Sequence, residues 1–179
     1  TTTIAAMSIG GMSLVPEADV GVALIASDVV TTSGAGDLDQ VEVETILGAH
    51  PDKPFTDVMK ATDFLIAKGY VDGERMAAAG GSYGGFMVNW IEGHTDRFKA
   101  LVSHAGVYSL LGQSASDAYY GRQHSYGGYP FTNLENIERW SPDRYAKNFN
   151  TPMLVLHGER DFRVPVTQGL ELYGALTAK

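Results

Sequence analysis

The sequence has no cysteine among its 179 residues. This absence excludes a disulfide framework, a zinc site built on thiolates and a cysteine nucleophile, but it does not identify the compartment. Basic residues are also scarce: 13 Lys and Arg stand against 21 Asp and Glu, which gives a formal net charge of −8. Because nucleic acids and anionic membranes bind basic surfaces, this balance argues against both as partners.

Long hydrophobic runs are absent as well. The longest run, residues 20–26, is far shorter than the roughly 20 apolar residues that span a bilayer. The N-terminal segment lacks the basic region of a secretory signal, so we interpret it as neither a targeting peptide nor an anchor. The compartment stays unknown, with the cytoplasm favoured. A hydrophobic share of 44% and a charged share of 19% are ordinary for a globular protein. The length predicts a single domain over residues 1–179.

Short apolar runs alternate with segments of helical periodicity. This pattern predicts strands at residues 20–26, 75–80, 98–104 and 152–157, and helices at residues 37–49, 55–68, 83–93 and 166–178. Such alternation indicates an α/β fold with a mostly parallel sheet and helices on both faces. The intervening stretch, residues 106–150, is predicted to be irregular, with at most a helical turn or two at residues 134–139. An irregular segment of that length is usually a functional excursion over a site.

A serine lies between two pairs of glycines at the junction of a predicted strand and a predicted helix. Gly80-Gly-Ser82-Tyr-Gly84 fits the pattern G-x-S-x-G, in which a sharp turn lifts the serine hydroxyl above the sheet. We expect side chains at the two flanking positions to collide with the neighbouring strand and helix, which would explain the glycines. The Tyr83 N–H, at the helix N-terminus, is the expected oxyanion donor. The alternative is a serine that only caps the helix.

A catalytic acid is expected downstream of this serine, because the partners in this fold follow in the order serine, acid, histidine. Asp161 follows the predicted strand 152–157, so it should lie at the same edge of the sheet as Ser82. Glu159 is the lesser candidate. The alternative for Asp161 is a turn residue or an exposed ion pair with Arg160 or Arg163.

Several ordered blocks together resemble the catalytic domain of the prolyl oligopeptidase family, especially its dipeptidyl-peptidase and acylaminoacyl-peptidase branches. The blocks are GGSYGG at residues 80–85, residues 98–106, WSPDRY at residues 140–145, and PMLVLHGERDFRVP at residues 152–165. The resemblance covers residues 53–179, whereas residues 1–50 do not match the expected pattern. It implies an α/β-hydrolase fold, incomplete at its C-terminal end. It further implies Ser82 as nucleophile, Asp161 as triad acid, the Tyr83 N–H in the oxyanion hole, and no cofactor.

The triad histidine is missing from the place where the resemblance implies it. The family places it a few tens of residues after the acid, and no histidine follows Asp161 in this sequence. His104 and His157 each end a predicted strand and are the candidates for a substitute base, although a structural role is favoured for both. The remaining histidines, His50, His94 and His124, are assigned to the surface or to loops, and no histidine spacing predicts a metal site.

Aromatic residues are concentrated in the irregular stretch. They either line a substrate pocket or pack as a surface loop, and they are Tyr119, Tyr120, Tyr126, Tyr129 and Phe131. Trp140 is expected to anchor this stretch to the core. A sheet that ends after residues 152–157 would expose a strand edge, through which a homo-oligomer could form.

Three functions agree with these features. The first is a serine hydrolase that cleaves peptide or amide bonds of a small peptide substrate through an acyl-enzyme on Ser82. The second is a carboxylesterase acting on small esters. The third is a weak or inactive hydrolase-like domain, since removal of a triad member leaves only about 10³ to 10⁴-fold catalysis over water.

Overall fold

The computed structural model describes residues 51–117 and 126–179. In chain order the elements are α1 (Asp52–Ala67), β1 (Ala77–Gly81), α2 (Tyr83–His94), β2 (Ala100–His104), α3 (Leu110–Gln113), α4 (Leu134–Arg139), a 3₁₀ helix (Pro142–Asn148), β3 (Met153–Leu156) and α5 (Thr167–Thr177). The predicted strand 20–26 and helix 37–49 lie outside the described residues, as do His50, His124, Tyr119 and Tyr120. The other strands and helices predicted for the described residues are confirmed within a few residues of their predicted ends.

Helix α1 ends where the sequence places a glycine. Gly69 has a φ of +73°, a conformation that costs glycine little because it has no Cβ. The Gly69 N–H donates to the Ile66 carbonyl at 2.9 Å, and the Tyr70 N–H donates to the Leu65 carbonyl at 3.1 Å. These two bonds form a Schellman motif, which satisfies carbonyls at the end of the helix. The predicted stop at this glycine is confirmed.

The three strands form one parallel sheet in the order β1-β2-β3. The register aligns Gly81 of β1 with His104 of β2, and His104 with Leu156 of β3. The last residues of all three strands are therefore level. In a parallel sheet these carboxyl ends form one edge, and loops that follow them meet there.

Helix α2 lies at the centre of the described core. Its residues 85–93 are all buried, and Met87 belongs to the core cluster that also contains Leu101 of β2 and Met76. Helix α1 adds a further layer over the same cluster through Phe55 and Met59. Burial of these apolar side chains fixes α2 against the sheet and thereby fixes the position of its first residue, Tyr83.

The stretch 106–150 contains more helix than the sequence indicated. Helix α3 forms because the Ser109 hydroxyl accepts a hydrogen bond from the Gly112 N–H at 3.2 Å, as an N-cap does. Helix α4 buries Ile137, which is 1% exposed. The helical turn or two predicted at residues 134–139 is confirmed as α4, whereas α3 and the 3₁₀ helix were not predicted. Both α3 and α4 are too short to be stable alone, so tertiary packing stabilises them. Trp140 packs against two core clusters, as expected of an anchor.

A membrane-crossing helix is not found in residues 51–117 or 126–179: none of the helices there is both long and apolar enough.

Candidate active site

Ser82, Ala105 and His157 each directly follow a strand and lie at the carboxyl edge of the sheet. The Ser82 N–H donates to the His104 carbonyl at 2.9 Å, and the Ala105 N–H donates to the Leu156 carbonyl at 2.8 Å. Ser82 and His157 therefore directly follow strands that flank β2. Two strand spacings separate such positions by about 10 Å. The structure thus places the serine and the loop that carries Asp161 at the same edge.

Ser82 has the strained backbone of a nucleophile turn. Its φ of +55° and ψ of −116° are unusual for a residue with a side chain, and its side chain is exposed. Among the described residues, only Ala105 is another non-glycine residue with positive φ. The Ser82 side chain makes no capping hydrogen bond to α2. The alternative in which this serine only caps the helix is therefore wrong.

The steric role of the glycines differs from the expectation. A Cβ on Gly80 would lie 2.3 Å from the carbonyl carbon of Gly84, so glycine is required at position 80. A Cβ on Gly84 would meet no described atom within 4 Å. The second close approach is made by Gly85, where a Cβ would lie 2.5 Å from the Cα of Gly106. The prediction of a collision at Gly84 is wrong, because α2 makes its close contact with the end of β2 one residue later, at Gly85.

Tyr83 is the first residue of α2, so its N–H lies at the helix N-terminus, beside Ser82. Backbone N–H groups of a first helical turn point along the axis, away from the helix. The Tyr83 side chain packs inward against Phe86, with ring centroids 5.5 Å apart. Burial raises the pKa of the Tyr83 hydroxyl above its ordinary value of 10.0. The side chain is thus part of the packing, while the backbone faces the site.

Asp161 lies on the loop between β3 and α5, and one of its oxygens is held by the backbone. Oδ1 accepts hydrogen bonds from the N–H groups of Arg163, at 3.0 Å, and Val164, at 2.9 Å. Its own N–H donates to the Gly158 carbonyl at 3.2 Å. Oδ2 accepts no hydrogen bond from the described residues. A carboxylate held through one oxygen can offer the other to a histidine N–H.

The ion-pair alternative for Asp161 does not fit the contacts, whereas the turn-residue alternative does, because Oδ1 accepts from the N–H groups two and three residues later, as in an Asx turn. Arg163 pairs with Asp117, with Nε 2.8 Å from Oδ1, and does not pair with Asp161. Arg160 forms no ion pair within the described part of the chain. Glu159 is exposed and makes no side-chain hydrogen bond to a described residue. Of the two carboxylates in this loop, Asp161 is therefore the one that the backbone holds in place, and its part as triad acid stays a prediction.

His157 is held as a structural residue. Its Nε2 lies 2.7 Å from the Val164 carbonyl oxygen, and because a carbonyl can only accept, Nε2 carries the proton. Its Nδ1 is buried without a described partner. The ring packs onto helix α5 at Gly169, where a Cβ would lie 2.7 Å from Nδ1. Neither nitrogen is placed to take a proton from Ser82.

His104 is exposed at the end of β2, and its ring lies beside the residue that precedes Ser82. A Cβ on Gly81 would lie 3.4 Å from the His104 Nδ1. No residue in the two described ranges hydrogen-bonds to this ring. Of the two histidines at this edge, His104 alone has an accessible ring. His94 is remote from the edge, stacked on Trp90 with ring centroids 3.9 Å apart.

The aromatic residues divide between packing and exposure. Tyr126 is buried beside Phe86 and Val164 and so joins the core under the site. Tyr129 and Phe131 stack on each other with centroids 5.1 Å apart, and Phe131 is 84% exposed. In residues 51–117 and 126–179, no group of three or more His, Asp or Glu side chains is arranged so that it could hold a metal ion.

The sequence matches the model of the prolyl oligopeptidase family over residues 14–179. The chain belongs to the prolyl oligopeptidase family. The match begins upstream of Lys53, where the resemblance was expected to begin, and so includes residues 14–50, which were expected not to match. The chain is 36% identical over 165 residues to the "Probable dipeptidyl-peptidase 5" of Aspergillus flavus, covering 89% of this chain and 22% of that protein.

Solved structures agree with this family assignment. The uncomplexed acylaminoacyl peptidase of Pyrococcus horikoshii superposes with a TM-score of 0.71 at 32% identity, covering 81% of this chain and 24% of that one. A puromycin-hydrolyzing peptidase of Mycobacterium tuberculosis gives a TM-score of 0.70 at 28% identity, covering 79% and 22%. The fold is therefore that of the α/β hydrolases, as predicted. This prolyl oligopeptidase family chain spans less than a quarter of the relatives' length.

Three features of this site were not predicted. These are the close approach of Gly85 to Gly106, the buried amide of Gln113 bound to the Arg163 carbonyl, and the accommodation of His157 by Gly169. Each joins residues that are distant in sequence. For the first of these features, the only signal in the sequence was the glycine at position 85, which the pattern G-x-S-x-G does not require.

Proposed function

We propose that the chain is the catalytic part of a serine hydrolase that cleaves peptide or amide bonds through an acyl-enzyme on Ser82. The observation that carries this proposal is the backbone of Ser82: exposed, strained, free of a capping bond, and level with the strand end that leads to Asp161. The dipeptidyl-peptidase and acylaminoacyl-peptidase names of the relatives support amide bonds as the class of substrate.

Each group has a distinct part in the proposed reaction. The Ser82 Oγ forms a bond to the substrate carbonyl carbon while a base takes its proton, and the Tyr83 N–H stabilises the oxyanion. The protonated base then gives the proton to the leaving amine as the C–N bond breaks. Water releases the acyl group by the same steps. Asp161 orients and stabilises the protonated imidazole through its Oδ2.

Labelling with a fluorophosphonate tests the nucleophile directly. We expect the full chain to be labelled on Ser82, Ser82→Ala to abolish labelling, and the control Ser114→Ala to be labelled like the wild type. A folded wild-type sample that is not labelled would contradict both enzymatic functions and leave a hydrolase-like binding domain.

The source of the base is tested in the same assay. His104→Gln removes the accessible ring at this edge. A fall in labelling rate of about 10³-fold or more would assign the base to His104. An unchanged rate would assign it to a histidine outside the described residues or in another chain.

Ester hydrolysis is the second candidate function. Ester cleavage demands less protonation of the leaving group than amide cleavage, so a site with a weak base would favour esters. Hydrolysis of p-nitrophenyl esters without hydrolysis of aminoacyl p-nitroanilides would identify a carboxylesterase. Cleavage of both would support the peptidase.

A further inference from the structure

The loop that carries Asp161 is bound at three consecutive carbonyl groups, twice by residues that follow β2 and once by the first residue of the loop itself. The Phe162 carbonyl accepts from the Asp117 N–H at 3.0 Å, the Arg163 carbonyl from Gln113 Nε2 at 2.6 Å, and the Val164 carbonyl from His157 Nε2 at 2.7 Å. Two of these donors are side chains. Gln113 follows β2 in the chain, and His157 follows β3 directly.

The residues Arg163 and Val164 also bind the acid through their N–H groups. The N–H groups of Arg163 and Val164 both donate to Asp161 Oδ1, while their carbonyls are held by Gln113 and His157. Each of these residues is therefore fixed at both its donor and its acceptor. A shift in either residue would move an N–H that sets the direction of the carboxylate.

Both donors are themselves fixed by burial. Gln113 is fully buried at the end of α3, and His157 packs against the backbone of Gly169 in α5. A buried amide or imidazole that loses its partner costs more than an exposed one, so these two bonds resist breaking. The neighbouring ion pair of Arg163 with Asp117 is largely exposed and contributes little.

We propose that Gln113 and His157 are positioning residues that set the orientation of Asp161 by holding the carbonyl groups of Arg163 and Val164, the two residues whose N–H groups bind its carboxylate. This inference rests on the proposed function for the catalytic meaning of Asp161. Neither side chain touches the reacting atoms. Their effect is to keep Oδ1 occupied by the backbone, so that Oδ2 faces the position of the base.

Amide hydrogen exchange, followed by NMR on the full chain, tests the proposal independently of activity. The measured quantity is the exchange rate of the Arg163 and Val164 amides relative to the core amides of Met87 and Val88. We expect Gln113→Met and His157→Met each to raise this ratio by about five- to tenfold, the loss of one neutral hydrogen bond. The variant His157→Gln, which keeps an N–H near the position of Nε2, should restore most of the protection.

Gln168→Met is the matched control. Gln168 is equally buried, and its Oε1 accepts from the N–H groups of Tyr108 and Ser109, away from the Asp161 loop. It should lower overall stability without changing the ratio. An unchanged ratio in both Gln113→Met and His157→Met, or an equal rise in Gln168→Met, would overturn the proposal.

Activity provides the second readout. With any substrate that the chain turns over, Gln113→Met should lower kcat and leave KM unchanged, because the acid acts on the transition state. A wild-type chain that is not labelled on Ser82 would defeat the proposed function and would leave the exchange result standing. The two failures are thus distinguishable.

Discussion

The imidazole of His157 occupies the space that a side chain at Gly169 would need: a Cβ there would lie 2.7 Å from Nδ1 and 3.0 Å from the Cβ of His157. The large side chain of His157, directly after β3, therefore requires a residue without a side chain at Gly169, the third residue of α5. This contact places α5 against the loop that carries Asp161. It also explains why a helix interior contains a glycine, which lowers helix stability.

Gly169→Ala should destabilise the protein by about 1–3 kcal/mol, because the added methyl displaces the His157 ring. Urea unfolding measures this change. Gly174→Ala on the same helix is the control: no described atom lies within 4 Å of its added Cβ, so it should stabilise by about 0.5–1 kcal/mol. Equal effects of the two substitutions would contradict the packing argument.

The glycines of the serine motif should differ in tolerance. Gly80→Ala places a methyl group against the Gly84 backbone and should cost about 3 kcal/mol or more. Gly84→Ala meets open space among the described residues and should retain or slightly raise stability. Thermal unfolding of the two variants provides the comparison, and a severe loss in Gly84→Ala would refute the assignment.

The strain at Ser82 should be measurable as lost stability. Ser82→Gly removes the side chain that disfavours a φ of +55°, so it should raise the free energy of unfolding by about 1 kcal/mol. Ser82→Ala also removes the hydroxyl but keeps the Cβ, so it should not gain this stability. If both variants unfold at the same urea concentration, the backbone strain does not contribute.

Glu92 should make stability depend on pH. Burial in α2 raises the pKa of its carboxyl above the ordinary value of 4.5, although Oε1 accepts from the Asn150 N–H at 2.7 Å and the Thr151 N–H at 2.8 Å. The folded protein therefore binds this proton more tightly than the unfolded chain. The stability that the protonated group contributes is complete below pH 4.5 and is lost as pH rises through the folded pKa.

Glu92→Gln keeps an acceptor oxygen and does not titrate. The free energy of unfolding of this variant, relative to wild type, should therefore increase as pH is raised from 4.5 to 7. Urea titrations at both pH values measure it. A constant difference for Glu92→Gln across this pH range would contradict the role of burial.

We propose that a second copy of the chain associates along β3, which pairs on only one side within the described residues. Leu154 and Leu156 are 55% and 45% exposed on this strand. Sedimentation should show a concentration-dependent dimer, which Leu154→Lys with Leu156→Lys should weaken because edge charges oppose pairing. Tyr70→Lys, another exposed apolar position, should not weaken it. A monomer at all concentrations would reject this association.

Local sequence signals determined the order of elements around the serine. Three of these signals depend on residues that are close in the chain and could be recognised from the sequence: the glycine after α1, the apolar runs of β1 to β3, and the motif at Ser82. The carboxyl-edge position of Asp161 followed from the parallel topology that such alternation implies. The family resemblance rested on these same segments.

The tertiary structure alone decided what fixes the site. Gln113 reaches Arg163 across 50 residues of sequence, and Gly85 meets Gly106 across a pair of neighbouring elements. Sequence spacing carries no signal for such contacts, because they depend on how elements pack after they form. The pattern of apolar residues along the sequence therefore determined at which edge of the sheet Ser82 and Asp161 would lie. Side-chain packing between distant segments decided how the loop that carries Asp161 is held.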